Sequence, residues 1–287
     1  SIPYFVKKEE LNVANSLDRL SLHMIQIFSF GLGGVIVALV GAPNAFIIDS
    51  ATFLISGVIL FSMHFPERVG KGALYVSKIF DEVIYGLKFI RRERLVFLLL
   101  VFLAVVNFIV IPIEVVMVIL SEELIQMGST GFGFLVASFA FGGVSGAIVA
   151  GKTKKKKGRM FVYGILGVGI GIGSIPLWSY VVHEFAGVLA ASLLVLSCFS
   201  FFVVGLFSAA INVPFFSLIQ IHVPDELRGR VFSANRMLTV SLAPASIIIV
   251  GVLITLIGVT TLLYIMGASI IIVGVLGTFS LTLRKAD

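Results

Sequence analysis

Asn15, Arg19, His23 and Gln26 follow one another at three- and four-residue steps near the start of the chain. That spacing aligns an amide, a guanidinium, an imidazole and a second amide along one face of a helix. Such a stripe either faces a cavity, where it contacts a substrate, or marks a helix end whose long side chains reach back to water. A second constellation is Asn107 and Glu114, seven residues apart and therefore two turns along one face. An amide and a carboxylate so placed suit the lining of a substrate or proton path. Glu114 also lies 19 residues past Leu95, about 28 Å along a straight helix, so exposure at the far edge of a membrane is the competing reading. Asp49, near the start of another apolar run, carries the same two readings.

Other chemistry finds little support. His23, His64, His183 and His222 are dispersed, and none belongs to an H-E-x-x-H pattern or a carboxylate cluster. Cys198 is the single cysteine, which leaves neither a disulfide framework nor a cysteine metal site. Gly146-Ala-Ile-Val-Ala-Gly151-Lys152-Thr153 fits the phosphate-loop pattern G-x-x-x-x-G-K-[ST] letter for letter. A phosphate loop needs a strand before it and a helix after it, whereas this match closes an apolar helix and runs into lysines. The expectation is a chain without metal, cofactor or nucleotide, and not an enzyme; an intramembrane enzyme is the reading kept against it.

The elements that must hold these residues are set by composition. The chain is 59% apolar and 13% charged, with a mean hydropathy of +1.13, where an ordinary soluble domain is nearer ~45–50% apolar. Runs of roughly 20 apolar residues cross a ~30 Å hydrocarbon core as helices, because lipid offers the backbone no other hydrogen-bond partners. Eight such runs are expected, at residues 16–40, 43–64, 95–120, 129–151, 160–180, 185–213, 231–257 and 259–283, the sixth with a break near Pro214. The fold class is therefore an all-α integral membrane protein with eight transmembrane helices, its first partner the lipid bilayer. With these spans, all 21 Lys and Arg residues fall on one side, while the opposite loops hold Glu122, Glu123 and Glu184. The positive-inside rule then places both termini in the cytoplasm and the protein, multi-pass, in the cytoplasmic membrane. The net charge of +6 thus reads as a topological signal, and no nucleic-acid partner is expected. The first ten residues lack the apolar core of a signal peptide.

Residues 6–58 return as 223–275 at a constant offset of 217, with fourteen identities where chance gives about four or five. Among the identical pairs are Arg19 with Arg236, Gly34 with Gly251, and Gly41 with Gly258. The chain thus reads as two related parts: 1–64 with two spans, a cytoplasmic linker at 65–94, and a six-helix bundle at 95–287. Within the linker Val76, Ile79, Phe80, Val83, Leu87 and Ile90 alternate with Lys78, Asp81, Glu82, Lys88 and Arg92 in helical register, an amphipathic helix for a membrane surface or the underside of the bundle. The pairs Gly142/Gly146, Gly167/Gly171 and Gly169/Gly173 provide the small residues that membrane helices need to approach closely.

Several stretches resemble one family. Val6-Lys-Lys-Glu-Glu-Leu-Asn-Val-Ala-Asn-Ser-Leu17, Gly31-Leu-Gly-Gly34, Ala45-Phe-Ile-Ile-Asp49-Ser-Ala-Thr-Phe-Leu54, Gly86-Leu-Lys-Phe-Ile-Arg-Arg92 and Val223-Pro-Asp-Glu-Leu-Arg-Gly-Arg-Val231 look like the major facilitator superfamily, in its bacterial drug and macrolide efflux branch. The resemblance implies a partial major facilitator fold: helices five to twelve of twelve, with the first four absent, two helices belonging to the N-terminal half and six forming the C-terminal bundle. It implies secondary active efflux of a small amphipathic, macrolide-type substrate by alternating access, with the proton as coupling ion. Glu114 and Asp49 are then the carboxylates available inside spans, and Asn107, Asn15, Arg19, His23 and Gln26 the further pathway candidates. It also assigns Gly31, Gly33, Gly34, Gly251, Arg228, Gly229, Arg230 and Arg236 to helix packing or gating. The alternative within the same resemblance is a truncated remnant that does not transport. The glycine motif keeps its final Gly33-Gly34 but has Ser29-Phe30 where exporters carry Gly-Pro, and the Gly146–Arg159 loop lacks the usual aspartate.

Overall fold

The computed structural model describes residues 33, 36–37, 39–62, 88–152, 157–184 and 190–286. Among them there is no strand. The helices are α1 (Ala42–Ser62), α2 (Arg94–Val110), α3 (Ile113–Ile119), α4 (Gly128–Lys152), α5 (Lys157–Glu184), α6 (Ala190–His222), α7 (Asp225–Phe279) and α8 (Leu281–Lys285). Among the described residues, six stretches are long and apolar enough to cross a membrane. The last of them, α7, has 55 residues, about 80 Å if straight, and it is interrupted at Gly258 by φ 76° and ψ 159°. It therefore supplies two spans, 225–257 and 259–279. The protein is all-helical and built for a membrane; the expected span 16–40 lies largely outside the described residues.

The interruption gives the internal repeat a structural counterpart. Gly41 has φ 79° and Gly258 φ 76°, a left-handed conformation open to glycine alone without strain. The offset of 217 carries Gly41 to Gly258, and it also carries both ends of α1, Ala42 and Ser62, onto 259 and 279, the ends of the second arm of α7. Sequence identity at a few positions thus reflects the same glycine break and the same following helix. The two copies differ in their surroundings. No residue of α1 is buried, whereas the second arm buries Leu262, Leu263, Met266, Gly267, Ile270, Gly274 and Gly277.

The third expected span is a composite. α2 and α3 are joined through Ile111 and Pro112, and the run ends in a π-helical turn at Leu120–Leu124. Pro112 has no N–H to continue the ladder, but Ile111 N–H still donates to Asn107 O at 2.8 Å and Val116 N–H to Pro112 O at 3.2 Å, so the helix bends without stopping. The expected break near Pro214 does not occur: α6 continues through it to His222. Phe215, Leu218 and Ile219 beyond the proline are fully buried, and this packing offsets the one backbone bond that Pro214 cannot make. Of the expected linker helix, residues 88–92 are described and helical, with Ile90 buried and Lys88 and Arg92 exposed.

Small residues bring the bundle together. A Cβ on Gly142 would strike the backbone of Phe202, one on Gly146 that of Leu206, and one on Gly205 that of Phe139 and Gly143. α4 and α6 thus run parallel with their backbones in contact. On α5 two interleaved glycine sets face opposite neighbours: Gly164, Gly167 and Gly171 meet Ile211, Phe207 and Val204 of α6, while Gly169 and Gly173 meet Gly267 of α7. Helices packed in lipid gain little from hydrophobic drive and depend on such close approach. Hydroxyls in the spans mostly bond their own helix, as in Ser145 to Phe141 O at 2.9 Å, Ser246 to Ala243 O at 2.9 Å and Thr255 to Val252 O at 2.8 Å.

Candidate functional site

The first arm of α7 starts with a turn held by one arginine. Arg228 Nε donates to Val223 O at 3.1 Å, its Nη2 donates to Gln220 O, and its Nη1 pairs with Asp225. Gln220 is in the last turn of α6, so a guanidinium from one helix caps the free carbonyls at the C-terminus of the helix before it, where positive charge is favoured. This accounts for the Pro-Asp-Glu-Leu-Arg sequence: the proline opens the next helix, the aspartate occupies its first turn, and the arginine reaches back. Gly229 is exposed and a Cβ there would meet nothing within 4 Å. Arg230 is half-buried.

Further along the same arm and on its neighbours, several polar groups interrupt the apolar runs. Arg236 is about 16 Å and Thr239 about 21 Å from the α7 start, while Asn212 is about 15 Å from the α6 end and Asn107 about 20 Å from the α2 start. Counted from the expected span edges, Asn107 and Thr239 are about 18 and 12 Å in and Arg236 about 8 Å, while Asn212 is at the basic edge. Asn107 Nδ2 donates to Thr239 Oγ1 at 3.2 Å, and Thr239 Oγ1 donates to Asn235 O at 3.0 Å. Asn107 thereby ties α2 to α7. Asn212 is exposed and donates to Ser208 O at 2.9 Å within its own helix. Arg236 is exposed and makes no ion pair among the described residues. Between the two helices, the Phe216 and Phe232 rings meet at 5.5 Å, one turn nearer the basic end than Asn212 and Arg236. Water or a facing protein surface must solvate a guanidinium at that depth, since hydrocarbon does not.

The remaining expected site residues divide cleanly. Glu114 is exposed in the first turn of α3, about 30 Å from Arg94 along the helix, so it stands near the opposite edge from the basic residues. The Pro112 bend lies between it and Asn107, whose amide is turned to Thr239 instead. Asp49 is exposed on α1, where its backbone carbonyl accepts from Thr52 Oγ1 at 2.7 Å. Gly33 and Gly251 lie in open space, with nothing within 4 Å of an added Cβ. Asn15, Arg19, His23, Gln26, Gly31 and Gly34 lie outside the described residues.

Asn212 escaped the sequence reading because it stands alone in Ala210-Ile-Asn-Val-Pro214, with no partner at helical spacing. A second polar cluster was also hidden. Trp178 Nε1 donates to Ser200 Oγ at 2.9 Å, Ser200 and Ser174 share a hydrogen bond of 2.8 Å, and the Ser197 hydroxyl is buried without a partner. Serines inside apolar runs usually bond their own helix, so nothing in the sequence marks these as an interhelical set. Gly146 of the phosphate-loop match is a packing residue of α4, pressed on Leu206. Among the described residues no three His, Cys, Asp or Glu side chains gather as a metal site would require.

Comparison with known proteins agrees with this architecture. The profile of the Major Facilitator Superfamily matches residues 1–246. Over 272 residues the chain is 25% identical to the uncharacterized MFS-type transporter YfiS of Bacillus subtilis (strain 168), which covers 94% of this chain and 62% of that protein. It is 22% identical over 256 residues to a second, the uncharacterized MFS-type transporter YvqJ of the same strain, covering 87% of this chain and 57% of the relative. The chain therefore spans about three-fifths of the length of the curated relatives it matches. No solved structure gives a significant match. A lipid-length helical bundle and a family match over most of the sequence lead to one conclusion: this multi-pass membrane protein belongs to the Major Facilitator Superfamily, a family of transporters.

Proposed function

We propose that the protein is a secondary active exporter of small amphipathic, macrolide-type compounds, working by alternating access in the cytoplasmic membrane. The observation that carries this reading is the Asn107–Thr239 pair inside the spans, with the exposed Arg236 one turn nearer the basic end of the same arm. Polar groups so deep are costly unless a water-filled path passes them, and a path at mid-depth between helical halves is where alternating access holds its substrate. In this reading residues 1–64 belong to the N-terminal half, 65–94 link the halves on the cytoplasmic side, and 95–287 form the C-terminal bundle, so that the spans correspond to helices five to twelve. The glycine break shared by Gly41 and Gly258 favours that correspondence. So does the unburied state of α1, a helix whose repeat partner is packed on both α5 and the rest of the bundle. The basic ends face the cytoplasm. The proton is the coupling ion, with Glu114 and Asp49 as the carboxylates that exchange it.

The test uses the full-length protein in cells lacking their own drug pumps, with a fluorescent amphipathic compound and a labelled macrolide as probes. Expression lowers steady-state accumulation several-fold, a protonophore restores it, and Arg236→Gln abolishes the difference while the protein is still inserted. Equal accumulation with and without the protein would sink the efflux reading. Efflux that ignores the protonophore and both Glu114→Gln and Asp49→Asn would sink proton coupling alone.

A further inference from the structure

We propose that the basic end of the bundle carries a binding site for an anionic phospholipid, in a cleft between α5, the end of α7 and α8. The cleft has a volume of about 240 Å³ and is lined by Arg159, Val162, Tyr163, Thr278, Phe279 and Arg284. Two guanidiniums share it with two hydroxyl-bearing side chains, and no carboxylate lines it among the described residues. Neither arginine has an ion pair among the described residues. The Nε of Arg159 is buried and has no hydrogen-bond acceptor there. A buried donor left unmatched is costly, and two like charges facing one space repel, so an anion with several acceptor oxygens entering the cleft relieves both. Phosphate geometry suits the forked donors of arginine better than a halide or a lone carboxylate.

The surroundings identify the anion as part of a lipid. Phe279, which lines the cleft, is 77% exposed, and Leu276 and Ile272, one and two turns back on the same face of α7, are exposed at 58% and 59%. A ligand with a phosphate in the cleft would lay its tails along this apolar wall. The wall itself is rigid where it matters. Gly158 N–H donates to Ala286 O at 3.1 Å, Leu283 is fully buried, and Ser280 Oγ accepts from Leu283 N–H at 3.4 Å, so α8 is fastened under the start of α5 and Arg284 is held at the rim. Basic pockets between membrane helices at the cytoplasmic level are where anionic headgroups are recognised. Val162, one turn further into α5 than Arg159, sets the boundary between head and tails. The site does not depend on the transport reading, because it lies at the rim of the bundle, away from Arg236.

The experiment takes the detergent-solubilised full-length protein, exchanges it into defined lipid, and measures retained lipid by native mass spectrometry and melting temperature by a thermal-shift assay. The probes are phosphatidylglycerol, phosphatidylcholine and inorganic phosphate. Wild-type protein retains and is stabilised by phosphatidylglycerol in preference to phosphatidylcholine. Arg159→Gln with Arg284→Gln weakens apparent phosphatidylglycerol affinity by roughly 30-fold, equivalent to about 2 kcal/mol for two basic groups. The double variant keeps its lipid-free melting temperature and elution volume, and the charge-matched control Arg91→Gln with Arg92→Gln, both exposed, keeps the preference. Arg159→Lys with Arg284→Lys restores part of the affinity. Equal retention of the two lipids by wild type overturns the proposal, as does a preference that survives the double glutamine variant. Stabilisation by inorganic phosphate as strong as that by phosphatidylglycerol overturns the assignment to a lipid and leaves a free-phosphate site. If the glutamine variant does not fold, the lysine variant decides: unchanged affinity there refutes recognition by the arginine fork.

Discussion

Replacing Gly205 by alanine adds one methyl group to a helix, and in isolation that change favours the helix by about 0.8–1 kcal/mol. In this bundle it should do the opposite. The new Cβ would lie 2.8 Å from Gly143 N and 2.9 Å from Phe139 C, and nearer still to Phe139 O. All three are backbone atoms of α4, which cannot swing aside as a side chain can. Relief requires α4 and α6 to part by roughly an ångström, and a gap of that size forfeits a quarter to a half of each contact along the interface. Gly142 and Gly146 meet α6 on the same line, so their contacts loosen together. Overpacking of this kind costs about 1–3 kcal/mol; for a chain of this size about 2 kcal/mol lowers the melting temperature by about 4–8 °C. The assay is thermal unfolding of the full-length protein in detergent. Trp178, the only tryptophan, reports from the α5–α6 boundary through its bond to Ser200. The matched control is Gly251→Ala, where the Cβ meets nothing within 4 Å and the helix gain should leave the melting temperature unchanged or raised. If both variants melt alike, the close backbone packing of α4 on α6 is refuted.

Two more outcomes follow from single residues. Gly258→Ala meets no atom within 4 Å but must hold φ 76° and ψ 159°, a region almost reserved for glycine; it should cost about 1–3 kcal/mol, read as a lowered melting temperature, and an unchanged value would show that the break is not fixed in this conformation. Arg228→Gln removes the donors to Val223 O and Gln220 O and the pair with Asp225; a loss of about 1–2 kcal/mol is expected, only partly recovered by Arg228→Lys because an ammonium cannot reproduce the fork, and full stability of the glutamine variant would dismiss the cap.

Sequence and structure divide the account along a physical line. The lipid-length apolar runs decide the all-helical class by themselves, because hydrocarbon leaves the backbone no partner but its own helix. The duplication was likewise legible, and with it the place of the glycine break, since Gly41 and Gly258 are among the few identities that the offset preserves. Glycine spacing indicated which helices are smooth enough to pack closely. It could not say that Gly167 and Gly171 face α6 while Gly169 and Gly173 face α7, because all four positions fit the same motif and only the neighbours distinguish them. The polar site was legible in part: Asn107 stood out as an amide in an apolar run, but its partner Thr239 is 132 positions away, and no periodicity connects residues on different helices. Asn212, Ser200 and the basic cleft around Arg159 and Arg284 depend on the same kind of meeting. What a residue is next to in lipid follows from which helices touch, and that is settled by the fit of whole surfaces rather than by any local pattern.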